Sequence, residues 1–276
     1  MNAQPGSATR ENGDPASTAA PSHVLHPAER RVLTFPLLSS LGVRHGFTMR
    51  GGGVSAGRYA TLNLGDKWGD DPTHVAENLR RVSTDCGFAA ADLCQVNQVH
   101  GIDVVTVHAV EKRDRAADGM VTQERLPLAV YSADCVSILM SDGEGRVAAV
   151  HAGWRGTVGG IAGQAVQALA QLGARPKRLH AVLAPSIGPC CFQVQEDVAS
   201  RFRAALPSSV RNTAAGGLFV DLWHTNRWYL QQAGVPAEQI DAAPRCTHCD
   251  PEHFFSYRRD GAGIGQHMAF IVGGGP

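Results

Sequence analysis

Short runs of small and β-branched apolar residues recur along the chain, and several end on a side chain able to do chemistry. In "VAAVHAGWRG", Val147, Ala148, Ala149 and Val150 predict a buried strand that ends on His151. The following "GWRGTVGGIAGQAVQALAQLGA" predicts a helix entered through glycine and stopped at Gly173, with Arg155 near its start. "LPLAVYSADCVSILMSD" predicts a buried strand crossed by the polar triplet Ser132-Ala133-Asp134, and "LCQVNQVHGIDVVTVH" predicts paired strands turned at His100-Gly101. "DPTHVAENLRRVSTDCGF" predicts a helix with Asp71 as cap and Pro72 at its first position. "EDVASRFRAAL" and "FVDLWHTNRWYLQQAGV" predict further helices. "LHAVLAPSIGPCCFQV" predicts a strand running into a proline-glycine turn, and "FFSYRRDGAGIGQHMAFIVG" a closing hairpin. Strands and helices mix without a steady βαβ rhythm or an internal repeat. The expected class is α+β, one domain over residues 26–276. The Pro-, Ser-, Ala- and Gly-rich stretch 1–25 predicts a disordered tail.

Composition narrows the partners. The 276 residues are 43% hydrophobic, enough for a sizeable core, and 25 basic residues balance 25 acidic ones. A net charge of zero gives no reason to expect nucleic acid or an anionic membrane surface. No apolar stretch approaches the ~20 residues that span a bilayer, and the N-terminus lacks the basic and apolar regions of a signal peptide. Seven cysteines lack the dense spacing of a secreted disulfide framework. A monomeric cytoplasmic protein with reduced thiols is expected.

Three metal-capable side chains stand at the edges of apolar runs: His100, Cys135 and His151. Two imidazoles and a thiolate form a zinc set that leaves a fourth position for water, which zinc makes nucleophilic near neutral pH. Their spacing matches no local zinc-finger pattern, so residue types alone leave open whether they are ligands or ordinary structural residues. "CTHC", Cys246 to Cys249, has no second cysteine pair nearby in sequence; His248 and His253 are the neighbours able to complete a site. A turn with free thiols is the simpler expectation there, and for Cys190-Cys191. Arg155, Arg50, Arg258 and Arg259 lie in glycine-rich or polar turns, suited either to an anionic group or to surface ion pairs. The loop "GGGVSAGRYATLNLG" is too irregular for a phosphate-binding or dinucleotide fingerprint.

"FTMRGGGVSAGRYATLNLG", "NQVHG", "ADGMVT", "YSADC", "AAVHAGWRGT", "PSIGPCCFQV", "DLW" and "CTHCDPEHFFSYRRDG" follow one another as in the YfiH family. That family is also called laccase-domain, polyphenol-oxidase-like or peptidoglycan editing factor. The resemblance runs from about residue 44 to 272. It implies a sandwich of mixed sheets with flanking helices, similar to a toxin deamidase that uses a Cys–His pair. It implies one zinc on His100, Cys135 and His151. It also implies phosphorolysis of adenosine, inosine, guanosine and methylthioadenosine, and deamination of adenosine. A nucleoside and phosphate would then be the partners. Arg155, with Arg50, would hold phosphate, and Arg258 would face substrate. Proton transfer in deamination needs a carboxylate, with Asp134 and Asp103 the candidates. Where many relatives carry a Gly-Arg-Met-like stretch, this chain has Gly265-Gln266-His267-Met268. The laccase name implies copper, but the chain contains no His-x-His pair of the kind a multicopper centre needs. A rival on the same residues is a cysteine hydrolase, with Cys135 as nucleophile and His151 as base, acting on an amide such as a muropeptide. A scaffold with a structural zinc is the non-enzymatic alternative; glycine turns and arginines beside the three ligands favour an open, enzymatic site.

Overall fold

Strands covered on both faces read as unbroken apolar runs, and the four six-residue strands among the described residues are buried along their whole length: Pro127–Ser132, Val136–Ser141, Val147–Ala152 and His267–Val272. They form the middle of two stacked sheets in a computed structural model that describes residues 31–275. The tail expected over residues 1–25 lies outside the described residues. One sheet has six strands, in the order Ile240–Ala242, His180–Leu183, Val136–Ser141, Val147–Ala152, Gly119–Thr122, Val104–Thr106. Its outermost pairs are parallel and its inner pairs antiparallel. The other is antiparallel, ordered Val32–Leu33, His45–Thr48, His267–Val272, Pro127–Ser132.

The two-residue period of each strand assigns its side chains to layers. Leu139, Ala149 and Val182 of the larger sheet meet Leu128, Val130, Ala269 and Ile271 of the smaller between the sheets. On the opposite face Ile138, Val150 and Ala148 pack against the helices Ile161–Gln171 and Leu222–Gln232. The outer face of the smaller sheet, with Met268 and Phe270, is covered by Val82 of the helix Pro72–Cys86. The architecture is mixed α+β, layered helix, sheet, sheet, helix. Among the described residues no helix is long and apolar enough to cross a membrane.

Several local expectations hold: Asp71 caps Pro72–Cys86 by accepting from the Thr73 N–H at 2.8 Å. Others are corrected. "LPLAVYSADCVSILMSD" is two strands, and Ser132-Ala133-Asp134 is the turn that carries the chain from one sheet to the other, with Asp134 at φ +98°. "LCQVNQVHGIDVVTVH" contains two strands that do not pair with each other. Gln95–Asn97 pairs with Lys112–Ala116 and Val104–Thr106 with Gly119–Thr122, both parallel. The helix after His151 is broken into Trp154–Val158 and Ile161–Gln171 at Gly160, whose φ of +80° suits glycine. The Tyr229 ring also stands 3.0 Å from where a Cβ would be at Gly160. "FVDLWHTNRWYLQQAGV" starts as the strand Leu218–Val220 before Asp221 caps its helix. In place of the closing hairpin stand a short helix, Tyr257–Asp260, and one central strand.

Candidate metal centre and cavity

Three segments converge where the larger sheet ends. His151 is the fifth residue of Val147–Ala152, Cys135 directly precedes the antiparallel neighbour Val136–Ser141, and His100 sits in a loop with φ +61°. Positive φ at a residue other than glycine persists only where surroundings enforce it. Here Asp118 does so. Its carboxylate accepts the N–H groups of Val99, His100 and Gly101 at 3.2, 3.0 and 2.6 Å. The same carboxylate meets His151 Nδ1 at 2.8 Å, which orients the imidazole and leaves Nε2 as its outward donor. One buried acid thus positions two of the three candidate ligands.

The ligand atoms of His100, Cys135 and His151 all lie within 4.8 Å of one another. The two imidazoles meet edge to face at 4.8 Å between centroids. Gly153 makes room for them: a Cβ there would lie 2.9 Å from His100 Cδ2 and 3.4 Å from Cys135 Sγ. Gly156 likewise lets its helix approach the Gly101 carbonyl, 2.8 Å from where a Cβ would stand. Burial pushes the Cys135 thiol up, but the adjoining His151 and His100 outweigh it and lower it to about 6. Burial works against a charged His151, while Cys135 and Asp118 raise it to about 9. Burial also works against the Asp118 carboxylate, and the His151 ring with the Gly101 and His100 amides holds it below the usual carboxylate value. Convergent nitrogen and sulfur donors, of which one imidazole is oriented by a carboxylate, fit a tetrahedral metal ion with a position left for substrate or water.

These residues form one end of a cavity of about 670 Å³, a volume suited to a small organic molecule. The structure brings six of the sequence-derived candidates to it: His100, Cys135, His151, Asp134, Arg155 and Arg258. The guanidinium of Arg155 stacks 4.3 Å from the Trp154 ring and makes no ion pair or hydrogen bond among the described residues. Arg258 is tethered, donating from Nη1 to the Gln193 carbonyl at 2.7 Å and lying over Phe192. Asp134 accepts the Thr247 hydroxyl on one oxygen and the Arg258 N–H on the other, both at 2.6 Å. Two candidates are not brought in. Asp103 is exposed and does not line the cavity. Arg50 is spent on the Ala60 and Pro251 carbonyls, at 2.8 and 3.0 Å. Direct roles in proton transfer and phosphate binding do not fit those positions.

Sequence reasoning passed over Asp118, although an acid opening the apolar run "DGMVT" was a visible signal. It also passed over Gln98, whose side-chain amide bonds both the carbonyl and the N–H of Tyr131 at 2.8 Å and fixes the His100 loop. Trp68 and Tyr257, with ring centroids 5.7 Å apart on one wall, carried no sequence signal. Gln266, at the departure from the family pattern, lines the same cavity.

Comparison with known proteins places the chain among named relatives. A purine nucleoside phosphorylase of Deinococcus radiodurans is 44% identical over 86% of this chain and 92% of that protein. The purine nucleoside phosphorylase YlmD of Geobacillus stearothermophilus is 38% identical over 83% of the chain and 90% of its own length. The crystal structure of YlmD from that organism superposes with a TM-score of 0.85 at 35% identity, covering 92% of this chain and 99% of that one. The Bacillus licheniformis protein YfiH gives a TM-score of 0.83 at 30% identity, over 90% and 98% of the two chains. The family model described as "multi-copper polyphenol oxidoreductase laccase" matches residues 44–273. The chain therefore belongs to that laccase-like family, the YfiH family whose motifs run through its sequence.

Proposed function

We propose that the cavity takes a purine nucleoside and phosphate and that the chain catalyses phosphorolysis of adenosine, inosine, guanosine and methylthioadenosine, and deamination of adenosine. In this reading the protein works in the cytoplasm, with one zinc on His100, Cys135 and His151. The observation that carries it is a meeting in one cavity of convergent His–Cys–His donors, an unpaired guanidinium and aromatic walls. The names of the relatives from Deinococcus and Geobacillus support its coarser part, a purine nucleoside and phosphate as substrates.

When bound, zinc supplies Lewis-acid chemistry: it polarises the group it touches and acidifies water. Asp118 holds His151 in the orientation and tautomer that presents Nε2 to the cavity. Arg155, without a protein acceptor among the described residues, takes phosphate in the bidentate manner of guanidinium groups, and the tethered Arg258 fixes its orientation. In phosphorolysis an oxygen of hydrogen phosphate bonds ribose C1′, the bond from C1′ to the base nitrogen breaks, and the purine leaves with the proton that the hydrogen phosphate gives up. Trp68 and Tyr257 offer faces on which the base stacks. Asp134, with both oxygens engaged, holds the Thr247 hydroxyl and the Arg258 N–H and so positions the segment that carries Arg258. Zinc is favoured over a multicopper centre because the other metal-capable group among the described residues is all sulfur and no His-x-His pair occurs.

The test is to incubate the purified protein with adenosine, with and without phosphate, separate the products, and measure metal on the same sample. Adenine released only with phosphate and inosine formed in either case, alongside zinc, are the expected results. Untouched adenosine on metal-free protein would overturn the proposal.

One observation favours a second reading. Cys135, His151 and Asp118 stand in the order of a nucleophile, its base and an orienting carboxylate. A metal-free cysteine hydrolase acting on an amide such as a muropeptide would lose activity on alkylation of Cys135. Zinc that survives dialysis and shields Cys135 from alkylation excludes it.

A further inference from the structure

Away from His100, Cys135 and His151, the fold gathers four more cysteines. Cys190 and Cys191 follow the Ser186–Gly188 turn, and Cys246 and Cys249 come from a segment far along the chain. The two stretches are joined by a parallel bridge between Ser186 and Cys246 and by the Thr247 N–H donating to the Ser186 carbonyl at 3.0 Å. Gly188 permits the approach, since a Cβ there would lie 3.2 Å from the Cys246 Cβ. The second pair that Cys246-x-x-Cys249 lacks in sequence is thus supplied by Cys190-Cys191, and neither His248 nor His253 is needed.

We propose that Cys190, Cys191, Cys246 and Cys249 form a closed tetrathiolate site that binds one zinc ion and locks together the two loops it joins. All four sulfurs lie within 4.8 Å of one another, with Cys191 and Cys190 at 3.3 and 3.7 Å from Cys249. A zinc ion with four sulfur ligands at the usual bond length has sulfur–sulfur edges of about 3.8 Å, so the cluster needs only small adjustments to close on a metal. The Gly188 N–H already donates to Cys246 Sγ at 3.2 Å, and the Cys249 N–H closes the Cys-x-x-Cys turn on the Cys246 carbonyl at 3.2 Å. Guanidinium groups brace the same loops, Arg211 on the Pro189 carbonyl and Arg259 on those of Thr247 and His248, beside what would be a dianionic centre. Binding forms four Zn–S bonds and releases the thiol protons to solvent.

This metal has a structural task. Thr247, between the two ligands of the Cys-x-x-Cys turn, donates to Asp134, which is adjacent to Cys135 and holds the Arg258 N–H. On the other loop, Phe192 directly follows Cys191 and lines the cavity. Closing the tetrathiolate therefore fixes a cavity wall, while four protein ligands leave the metal no position for substrate.

The deciding measurement is metal content and cobalt spectroscopy on two variants. Cys135→Ala should retain about one zinc per chain and, after exchange for Co(II), show the intense thiolate charge-transfer and visible bands of a tetrahedral tetrathiolate. Cys249→Ser should lose one zinc relative to wild type and melt at a lower temperature. Failure of the His–Cys–His assignment shows separately, as equal zinc in wild type and Cys135→Ala. If Cys249→Ser does not fold, the cobalt spectrum of Cys135→Ala decides alone. A Cys135→Ala protein that binds no metal, or Co(II) without thiolate charge transfer, or a folded Cys249→Ser with wild-type zinc content, would overturn the proposal.

Discussion

Two sulfur-bearing clusters occupy neighbouring parts of this protein and differ in almost every property that decides reactivity. The first combines two imidazoles with one thiol, opens on a cavity, and has a buried carboxylate behind its innermost histidine, His151. The second is all sulfur, with two of its four cysteines exposed, and lies between two surface loops. An incomplete donor set beside a cavity leaves a position for chemistry, whereas a complete one consumes it. Under the proposed roles one fold separates reaction from bracing, and a Thr247–Asp134 hydrogen bond links the two clusters.

The strongest way to break this contrast is Cys135→Ala. Loss of a ligand removes the several kcal/mol of charge stabilisation that a metal supplies, so phosphorolysis should fall by about 10³-fold with the fold retained by circular dichroism. Asp118→Asn keeps the size of the side chain but removes the charge behind His151 and weakens the acceptor for three amides. Metal affinity, read by competition with a chelator, should fall by roughly 10- to 100-fold.

How visible these features are in the sequence follows from their range. The buried strands, the Asp71 cap and the His100, Cys135 and His151 set rest on local patterns or quoted motifs. The pairing of Cys190-Cys191 with Cys246-x-x-Cys249 rests on a bridge between distant segments, and no local spacing encodes it. The sheet change at Ser132–Asp134 is similar, because an apolar run with a polar break fits either one interrupted strand or two strands in different layers. Arg50 and Arg155 illustrate the same limit: both sit near glycines, and only packing decides that one is spent on carbonyls and the other faces the cavity.

Arg155→Ala sharpens the functional half of the comparison. Charge-assisted hydrogen bonds contribute about 1.5–3 kcal/mol, so KM for phosphate should rise by about tenfold or more while zinc content stays at the wild-type value. A histidine outside both clusters governs a separate effect, on stability rather than on activity. Burial pushes His267 down to about 3, and its Nε2 accepts the Phe255 N–H at 2.9 Å. Below the ordinary value of 6.5 the unfolded chain takes up a proton that the folded chain refuses, so stability falls as pH falls from 6.5 toward 3. The contribution is up to about 1.4 kcal/mol per pH unit. Denaturant titrations across that window should show a flatter pH dependence for His267→Gln than for wild type.

The central claim is that the His100–Cys135–His151 cavity performs phosphorolysis. Its most direct test is adenine release from adenosine by wild type and Cys135→Ala, with phosphate present and absent and zinc measured on each sample. Release by wild type that requires phosphate and vanishes in the folded variant is the predicted result. Equal release by the two proteins, or release that ignores phosphate, would contradict it.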